Sequence, residues 1–287
     1  MFTLIRKIKM RIWVNTLVRN EERYLWYAVM SAVRYVDKIL IWDTGSSDKT
    51  PQIIKELNRS FPEKIDFKNF GEVTAEQFPI VRQKMLDATD SDWVLILDGD
   101  EVWWEESIKT LKEVIEKEGK YLESIVSRYY TVVGDIYHHQ HESAGMYEID
   151  KDRGHLNIKA MNRHIPGLHA ARPHGQQGYF DAKGKLIQGR SYKKRFHIKN
   201  PAYLHFTNVQ RSPLDTKVIK RSMKLKYEIG QSFPLDFYYP EVFFRERPKI
   251  VDSPWTRMSE EFYFRALIQT PFRKLKRKFI RSKKTGY

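Results

Sequence analysis

Apolar and polar positions form blocks of two kinds along residues 12–100. Short runs of consecutive apolar residues predict buried strands, and longer blocks with apolar residues every three or four positions predict amphipathic helices. The predicted strands span 12–18, 38–42, 65–67 and 93–97, and the predicted helices between them span 21–35, 49–57 and 77–88. Because strand and helix alternate, the pattern indicates an α/β fold with a mostly parallel sheet, Rossmann-like and flanked by helices.

The pattern changes after residue 100. It predicts a helix over 105–117, strands over 124–133 and 202–206, and a helix from Ser212-Pro213 to about Ile229, where a serine N-cap precedes a proline. Residues 134–200 are rich in Gly, His, Arg and Pro and have weak periodicity. No repeat or linker divides the chain, so we expect one domain over 12–270, between a basic lead-in at 1–11 and a basic tail at 271–287.

Polar residues follow three of the predicted strands. Arg19-Asn20-Glu21 follows the first strand, Asp43 the second, and Asp98-Gly99-Asp100 the fourth. Ligands of α/β sheets bind outside the carboxyl ends of the strands, so these side chains are expected to share one site. The carboxylates of the acidic turn are hard oxygen ligands suited to Mg²⁺ or Mn²⁺. The alternative for such a short motif is a solvated acidic turn.

Composition narrows the class of protein. The chain has 287 residues, of which 41% are hydrophobic, which is enough for a large core. It has no apolar run of roughly 18 residues that could span a bilayer, and its first residues do not form a signal peptide. It has 0 cysteines, which excludes disulfides and thiolate zinc sites. We therefore expect a cytoplasmic protein.

The net charge of +15 belongs mainly to the two ends. Residues 272–287 contain 8 Lys/Arg and no acid, and residues 1–11 add 4 more. In the tail, Phe272, Leu275, Phe279 and Ile280 recur among the basic residues, which predicts an amphipathic helix suited to an anionic membrane surface. The alternatives are a solvated tail and, less favoured, binding of nucleic acid. The membrane interpretation places the protein peripherally at the inner face of a membrane.

Three segments carry a family resemblance. They are Asn15–Leu25 (NTLVRNEERYL), Val36–Thr50 (VDKILIWDTGSSDKT) and Asp92–Glu101 (DWVLILDGDE). In this order and spacing they resemble the family 2 glycosyltransferases of the GT-A fold, nearest to a bacterial and archaeal group with the motifs "lvkNEe", "vDtgStDgT" and "lDaDE". The resemblance covers residues 12–105 well and the rest poorly.

The resemblance implies a reaction and a division of the chain. A sugar would pass from a nucleoside-diphosphate sugar to the hydroxyl of a glycan or lipid-linked acceptor, with inversion and with Mn²⁺ or Mg²⁺. Residues 12–105 would form the nucleotide-sugar half and 106–230 the acceptor half, followed by a C-terminal extension over 231–270.

The resemblance also implies roles for individual residues. Those matched to the nucleotide-sugar site are Arg19, Glu21, Asp43, Arg82 and Asp98. Those matched to the metal are Asp98, Asp100 and His205, the last from a late strand. Each role has a structural alternative: a turn acid before Gly45 for Asp43, a surface helix charge for Arg82, and a hydrogen-bonded core histidine for His205. Arg19 stands where other family members carry an aromatic residue near the base.

The general base is not resolved by the motifs. Inverting transfer needs a group that takes the proton of the acceptor hydroxyl. Related enzymes often place a His-Glu pair here, but the nearest segment, Arg172-Pro173-His174-Gly175-Gln176, lacks the acid. The base candidates are therefore His174, Asp181 and Glu142. The histidine-rich run at 137–141 could bind a metal, but it has no paired partner and is expected to be a solvated loop.

Two other classes of function remain open at this point. A nucleotidyltransferase can share an α/β core and an acidic metal site, but it should have a glycine-rich phosphate loop near the first strand, which Arg19-Asn20-Glu21 is not. A non-catalytic protein could use its basic ends to bind an anionic surface.

Overall fold

The computed structural model describes residues 9–173, 176–218, 221 and 225–279 of the chain. The strands are β1 (Ile12–Val18), β2 (Lys38–Asp43), β3 (Ile65–Asn69), β4 (Trp93–Ile96), β5 (Glu101–Trp103), β6 (Ser124–Val133), β7 (Asp135–His139), β8 (Tyr147–Ile149), β9 (Asp152–Gly154), β10 (Leu156–Asn162), β11 (His169–Ala171), β12 (Gly178–Phe180), β13 (Arg195–Asn208) and β14 (Gln231–Ser232). The helices are α1 (Leu25–Ala32), α2 (Thr50–Ser60), α3 (Phe78–Asp87), α4 (Glu105–Glu118) and α5 (Glu260–Phe279).

A mixed ten-stranded sheet forms the centre of the fold. Its order is β14-β7-β6-β10-β4-β1-β2-β3, and β13 pairs with both β5 and β6. Strands β3, β2, β1 and β4 are parallel, whereas β10 lies antiparallel to β4. The predicted α/β class, with helices flanking a sheet that is parallel over its first half, is confirmed.

The parallel strands form because their apolar residues are buried by helices on the sheet faces. All residues of β4 are buried, and α1 buries Leu25, Trp26 and Val29 against the sheet. Burying one such large apolar side chain contributes roughly 1.5–3 kcal/mol. The carboxyl ends of β1 and β4 are thereby held side by side.

The first helix begins later than the pattern predicts. Asn20 has a φ of 52°, so the chain turns before the helix, and α1 starts at Leu25 instead of residue 21. The Glu21 amide donates to Thr50 Oγ1 at 2.8 Å, which ties this turn to the start of α2. The turn keeps Glu21 at the sheet edge and outside the helix.

Of the predicted helix from Ser212 to Ile229, the described residues show α-helical structure at Arg221 alone, whose carbonyl accepts from the Leu225 amide at 3.2 Å. Asp215–Lys217 form one 3₁₀ turn, and residues 225–229 have no regular structure. Ser212 Oγ accepts from the Leu214 amide at 3.1 Å, so the Ser-Pro pair opens a turn. The segment instead directs arginine side chains toward the acidic residues described below.

The C-terminal helix α5 crosses the expected boundary at residue 270 and contains Pro271. It includes the first part of the predicted amphipathic tail, while residues 280–287 and the lead-in up to residue 8 lie outside the described residues. In the part of the chain that the structure describes, no helix is both long enough and apolar enough to cross a membrane.

Candidate active site

A cleft of about 540 Å³ opens at the carboxyl ends of β1 and β4. It extends from the turn after β1 to the loop before β8. The predicted site residues that line it are Arg19, Glu21, Arg82, Asp98, Asp100 and His205. The structure therefore brings together residues separated by up to 186 positions in the chain.

The Asp98-Gly99-Asp100 turn forms the acidic centre of the cleft. The Glu101 amide donates to the Asp98 carbonyl at 3.1 Å, which closes the turn between β4 and β5. A Cβ on Gly99 would lie 3.0 Å from Glu21 Cγ, so the glycine is needed for close packing of the turn against Glu21.

Asp98 is held by two cations. Lys159 Nζ lies 3.3 Å from its Oδ2, and Arg82 Nη2 lies 3.6 Å from its Oδ1. Burial alone would raise the pKa of Asp98, but Lys159 and Arg82 lower it to about 2. Arg82 is 6% exposed, so the alternative of a surface helix charge is wrong for this residue.

Asp100 is also paired within the protein. Arg211 Nη1 lies 2.6 Å from Asp100 Oδ2, and His205 Nε2 lies 3.5 Å from the same oxygen. Burial opposes ionisation of Asp100, but Arg211 and His205 hold its pKa well below the usual range. The same contact raises the pKa of His205, although burial acts in the opposite direction.

The pairing of β13 with β5 positions His205. His205 lies opposite Glu101 in this antiparallel ladder, and the Phe206 amide donates to the Asp100 carbonyl at 2.9 Å. The histidine is therefore fixed beside the acidic turn by backbone hydrogen bonds. This explains how a residue 105 positions after Asp100 reaches the same site.

Glu21 connects the turn after β1 to the segment that follows β13. Its Oε1 accepts from Arg221 Nη2 at 2.6 Å and from Arg211 Nη1 at 3.1 Å. Burial raises the pKa of Glu21 to about 7, against the effect of both arginines. Arg221 Nη2 also donates to the Arg19 carbonyl at 2.7 Å, so the segment is bound to the backbone of this turn.

The sequence prediction missed three basic residues of the site. Lys159 lies in β10, where every residue is buried, and its Nζ is 2.6 Å from Glu101 Oε1. A lysine inside an apolar strand was the available signal. Arg211 and Arg221 gave no comparable signal, because the expected helix placed Arg221 among ordinary helix charges.

Asp43 lies at the end of β2 but does not line the cleft. Its Oδ1 accepts from the Ser46 amide at 3.0 Å and from Ser46 Oγ at 2.6 Å. It is 1% exposed, and burial raises its pKa above the ordinary value. The structure thus gives Asp43 the role of a turn acid before Gly45, whose φ is 93°.

Two of the three base candidates, Asp181 and Glu142, do not line the centre of the cleft. Asp181 accepts from the amides of Lys183 and Lys185 and pairs with Arg190, so it stabilises the turn after β12. Glu142 lies in the loop after β7, 3.1 Å from Arg128 Nη1. His174 lies outside the described residues.

The histidine-rich run has local partners. His138 Nδ1 lies 2.6 Å from Asp135 Oδ1, and His141 Nδ1 lies 2.8 Å from Ser143 Oγ. His139 packs against Phe233 with ring centroids 4.5 Å apart. The expectation of a solvated loop is wrong for this run, because residues 137–139 belong to strand β7 and Gln140 is 2% exposed.

A divalent ion does not fit the acidic turn in the described arrangement. No cluster of three or more acidic, histidine or cysteine side chains in the described ranges is arranged to hold an ion. Asp100 Oδ2 and His205 Nε2 have suitable chemistry and lie 3.5 Å apart, but Arg211 already binds Asp100. An ion could take this position only if Arg211 moved away.

Comparisons with solved structures find proteins in complex with nucleotide sugars. S. aureus TarS in complex with UDP-GlcNAc is 13% identical, with a TM-score of 0.48, covering 71% of this chain and 59% of that one. A mannosyltransferase from Pyrobaculum calidifontis, in complex with GDP-Man and Mn²⁺, is 15% identical, with a TM-score of 0.37, covering 55% of this chain and 46% of that one. The chain thus spans about half the length of these proteins.

Sequence comparisons identify the family. A TPR repeat-containing protein of Synechococcus elongatus is 33% identical over 85 residues, which are 30% of this chain and 19% of that protein. The model for glycosyl transferase family 2 matches residues 14–179, more than half of the chain. This is the family that the three segments of the sequence resemble. The chain belongs to glycosyl transferase family 2.

Proposed function

We propose that the protein transfers a sugar from a nucleoside-diphosphate sugar to an acceptor hydroxyl, with inversion at the anomeric carbon. The observation that carries this proposal is the convergence of the Asp98-Gly99-Asp100 turn, Arg82 and His205 on one cleft at the carboxyl ends of the parallel strands. Ligands of α/β sheets bind at this edge. The cleft volume of about 540 Å³ falls in the range of small-molecule sites.

The charge of the cleft suits a diphosphate. Arg82 and Lys159 contact Asp98, while Arg211 and Arg221 contact Asp100 and Glu21. Acids hold these cations in place, and Arg82, Arg211 and Arg221 line the cleft, where their positive charge would attract a diphosphate. Arg19, whose Nη2 is 2.6 Å from Glu72 Oε1, adds a cation on the nucleotide side. We assign the nucleotide to the part of the cleft between Arg19 and Arg82.

Mn²⁺ or Mg²⁺ does not fit the acidic turn while Arg211 holds Asp100; in another arrangement of the cleft, Asp100 and His205 would hold the ion, with Asp98 as a further ligand. That arrangement requires Arg211 to leave Asp100, since its guanidinium holds the carboxylate oxygen. The ion would supply positive charge to the diphosphate leaving group. Arg82 and Lys159 would keep Asp98 ionised, because they lower its pKa.

The acceptor would enter from the side formed by the loop before β8. Gly145, Met146 and Tyr147 line this side of the cleft. For the base we retain His174, because Gln177, three residues later, lines the cleft, whereas Asp181 and Glu142 are engaged by Arg190 and Arg128. We assign a glycan or lipid-linked acceptor to this side.

The exposed apolar positions of α5 support attachment to an anionic membrane surface. Phe272, Leu275 and Phe279 are 69%, 55% and 79% exposed, with basic residues between them. A helix of this kind lies in a membrane interface with its apolar side inward.

Hydrolysis and transfer assays test the reaction. Purified protein is incubated with UDP-, GDP- and dTDP-sugars and Mn²⁺, and the released nucleoside diphosphate and the anomer first formed are followed by NMR. We expect release from one donor, with the anomer opposite to that of the donor. Asp100→Asn should reduce the rate at least a hundredfold. Retention of configuration would contradict the inverting mechanism, and a rate unchanged by Asp100→Asn would contradict the site.

A further inference from the structure

A second cavity of about 670 Å³ lies beside the cleft, between the loop at 141–146 and the C-terminal helix α5. Gly145 and Met146 line both the cleft and the second cavity, so this short segment of the chain separates the two spaces. Helix α5 also borders both, since Arg273 lines the cleft and Lys274 lines the second cavity. A ligand could therefore occupy the cavity and reach the cleft past Gly145.

The second cavity carries an excess of positive charge. Arg153, Lys274 and Lys278 line it, and none of them forms an ion pair with another described residue. The two acids that line it are already paired. Glu142 lies 3.1 Å from Arg128 Nη1, and Glu228 binds the guanidinium of Arg277. The available charge of the cavity therefore favours an anionic group.

One face of α5 attaches the helix to the protein. Thr270 Oγ1 accepts from the Ile229 amide at 2.8 Å, and Arg273 Nε donates to the Tyr227 carbonyl at 3.1 Å. Ala266 and Thr270 are buried on this face. The contacts fix the rotation of the helix, so the direction of its other side chains is determined.

The opposite face of α5 is apolar and exposed. Its side chains follow a spacing of four, four, three and four residues, which places them in one stripe. They are Phe264, Ile268, Phe272, Leu275 and Phe279, with exposures of 64%, 68%, 69%, 55% and 79%. We call these five residues the apolar stripe.

Lys274 and Lys278 lie between the two faces. At about 100° per residue, both fall at the boundary between the apolar stripe and the face that binds the protein, on the side of the second cavity. A helix lying in a membrane places such a boundary at the level of the lipid headgroups. The cavity mouth would then face the phosphates of the lipids.

We propose that the second cavity binds the phosphate group of a membrane-lipid acceptor, while the apolar stripe lies in the bilayer interface. Arg153, Lys274 and Lys278 bind the phosphate, the lipid chain remains beside the stripe, and the sugar-accepting end passes Gly145 and Met146 into the cleft. The apolar stripe favours a lipid over a soluble phosphorylated ligand. A lipid surface would bury these exposed apolar side chains, whereas a soluble ligand would leave them in water. The inference rests on the proposed glycosyl transfer.

Calorimetric titration of the full chain with dodecyl phosphate, below its micelle concentration, tests this site. We expect binding that weakens at least tenfold in Lys274→Glu/Lys278→Glu, since a single charge-assisted hydrogen bond to a phosphate contributes on the order of tenfold to affinity. The matched control is Lys276→Glu, an exposed lysine of the same helix that does not line the cavity, and it should change the affinity less than twofold. If Lys276→Glu weakens the affinity for dodecyl phosphate as much as the double variant does, the ligand is attracted by the overall positive charge of the helix. That result would overturn the site.

Two further probes test the choice of a lipid. Inorganic phosphate should bind at least tenfold more weakly than dodecyl phosphate, and equal affinities would overturn the lipid assignment in favour of a soluble phosphorylated ligand. Vesicles of 70% phosphatidylcholine and 30% phosphatidylglycerol should bind the wild-type chain and lose most binding in Phe272→Ser/Leu275→Ser. Unchanged vesicle binding in that variant would overturn the role of the stripe.

Thermal stabilisation by a nucleoside-diphosphate sugar is measured on the same variants. It should persist in Lys274→Glu/Lys278→Glu, because these residues lie outside the donor part of the cleft. If the wild-type chain binds dodecyl phosphate but no nucleotide sugar, the proposed function fails while the anion site stands. If the wild-type chain binds a nucleotide sugar but not dodecyl phosphate, the anion site is overturned while the proposed function stands.

Discussion

The guanidinium of Arg211 bridges two acids of the cleft, with its Nη1 2.6 Å from Asp100 Oδ2 and 3.1 Å from Glu21 Oε1. The family resemblance matches Asp100 to the metal ion. In this structure its carboxylate instead binds a cationic side chain of the protein, Arg211. The contact is buried, since the side chains of Arg211 and Asp100 are 12% and 3% exposed. Arginine and a divalent ion are therefore expected to compete for the same carboxylate.

This competition predicts that removal of Arg211 strengthens metal binding. Arg211→Gln should bind Mn²⁺ about tenfold more tightly than the wild type in the absence of nucleotide, because a charge-assisted hydrogen bond of on the order of 1.5–3 kcal/mol no longer has to be broken. Titration of Mn²⁺, followed by the electron paramagnetic resonance of the free ion, measures this affinity.

Arg190→Gln is the matched control for that experiment. Arg190 is also a partly buried arginine paired with acids, but its partners are Asp181 and Glu123, which do not line the cleft. It should leave the Mn²⁺ affinity unchanged. Equal or weaker Mn²⁺ binding by Arg211→Gln would show that the arginine does not occupy the position of the ion.

The parallel half of the fold was predictable because burial on both faces leaves a clear pattern. Strand β1 begins and ends at the predicted residues, and β4 differs from the prediction by one residue. The first described residues of the segment after β13 depart from the predicted helix for a physical reason. Ser212-Pro213 is a good helix start, but Arg221 and Arg211 bind Glu21, and no local propensity records a contact across 200 positions.

The acidic residues of the site could be predicted from the sequence, whereas the basic residues that pair with them could not. Asp98, Asp100 and Glu21 directly follow apolar strands, so their position in the sheet could be inferred from the sequence. Lys159 and Arg211 neutralise them from other elements. Their roles depend on how β10 and β13 pair with the first half of the sheet, which the pattern of residues 134–200 did not reveal.

Two substitutions of Asp43 separate its turn role from a role in base binding. Asp43→Asn keeps an Oδ1 that can accept from Ser46, so stability should change by less than about 1 kcal/mol. Asp43→Ala loses both hydrogen bonds and should destabilise the fold by about 1–3 kcal/mol. Urea unfolding measures the two values. If Asp43 also binds the nucleotide base, Asp43→Asn should weaken nucleotide affinity without changing stability. If the affinity is unchanged, Asp43 has the turn role alone.

The buried carboxyl of Glu101 should make the free energy of unfolding depend on pH. Burial raises its pKa to about 7, despite Lys159 at 2.6 Å, whereas the unfolded value lies near 4.5. Between these two values the folded state binds more protons than the unfolded state, so the free energy of unfolding falls as pH rises from 4.5 to 7. The contribution of this carboxyl is at most about 1.4 kcal/mol per pH unit.

Glu101→Gln should remove that part of the slope. Urea unfolding of both proteins at pH 5, 6 and 7 measures it, and the difference in stability between variant and wild type should shift in favour of the variant as pH rises. A difference that is constant over this range would mean that the carboxyl titrates at its ordinary pKa in the folded protein.

Thermal unfolding with UDP-, GDP- and dTDP-sugars and Mn²⁺ tests the central claim most directly, using the wild type, Asp98→Asn/Asp100→Asn, and Asp90→Asn as an exposed control paired with Arg11. At a concentration 100-fold above its Kd, the correct donor should stabilise the wild type and the control by about 2.7 kcal/mol. The double variant should show no such stabilisation. Stabilisation of the double variant equal to the wild type, or none of the wild type by any donor, would contradict a nucleotide-sugar site at this acidic turn.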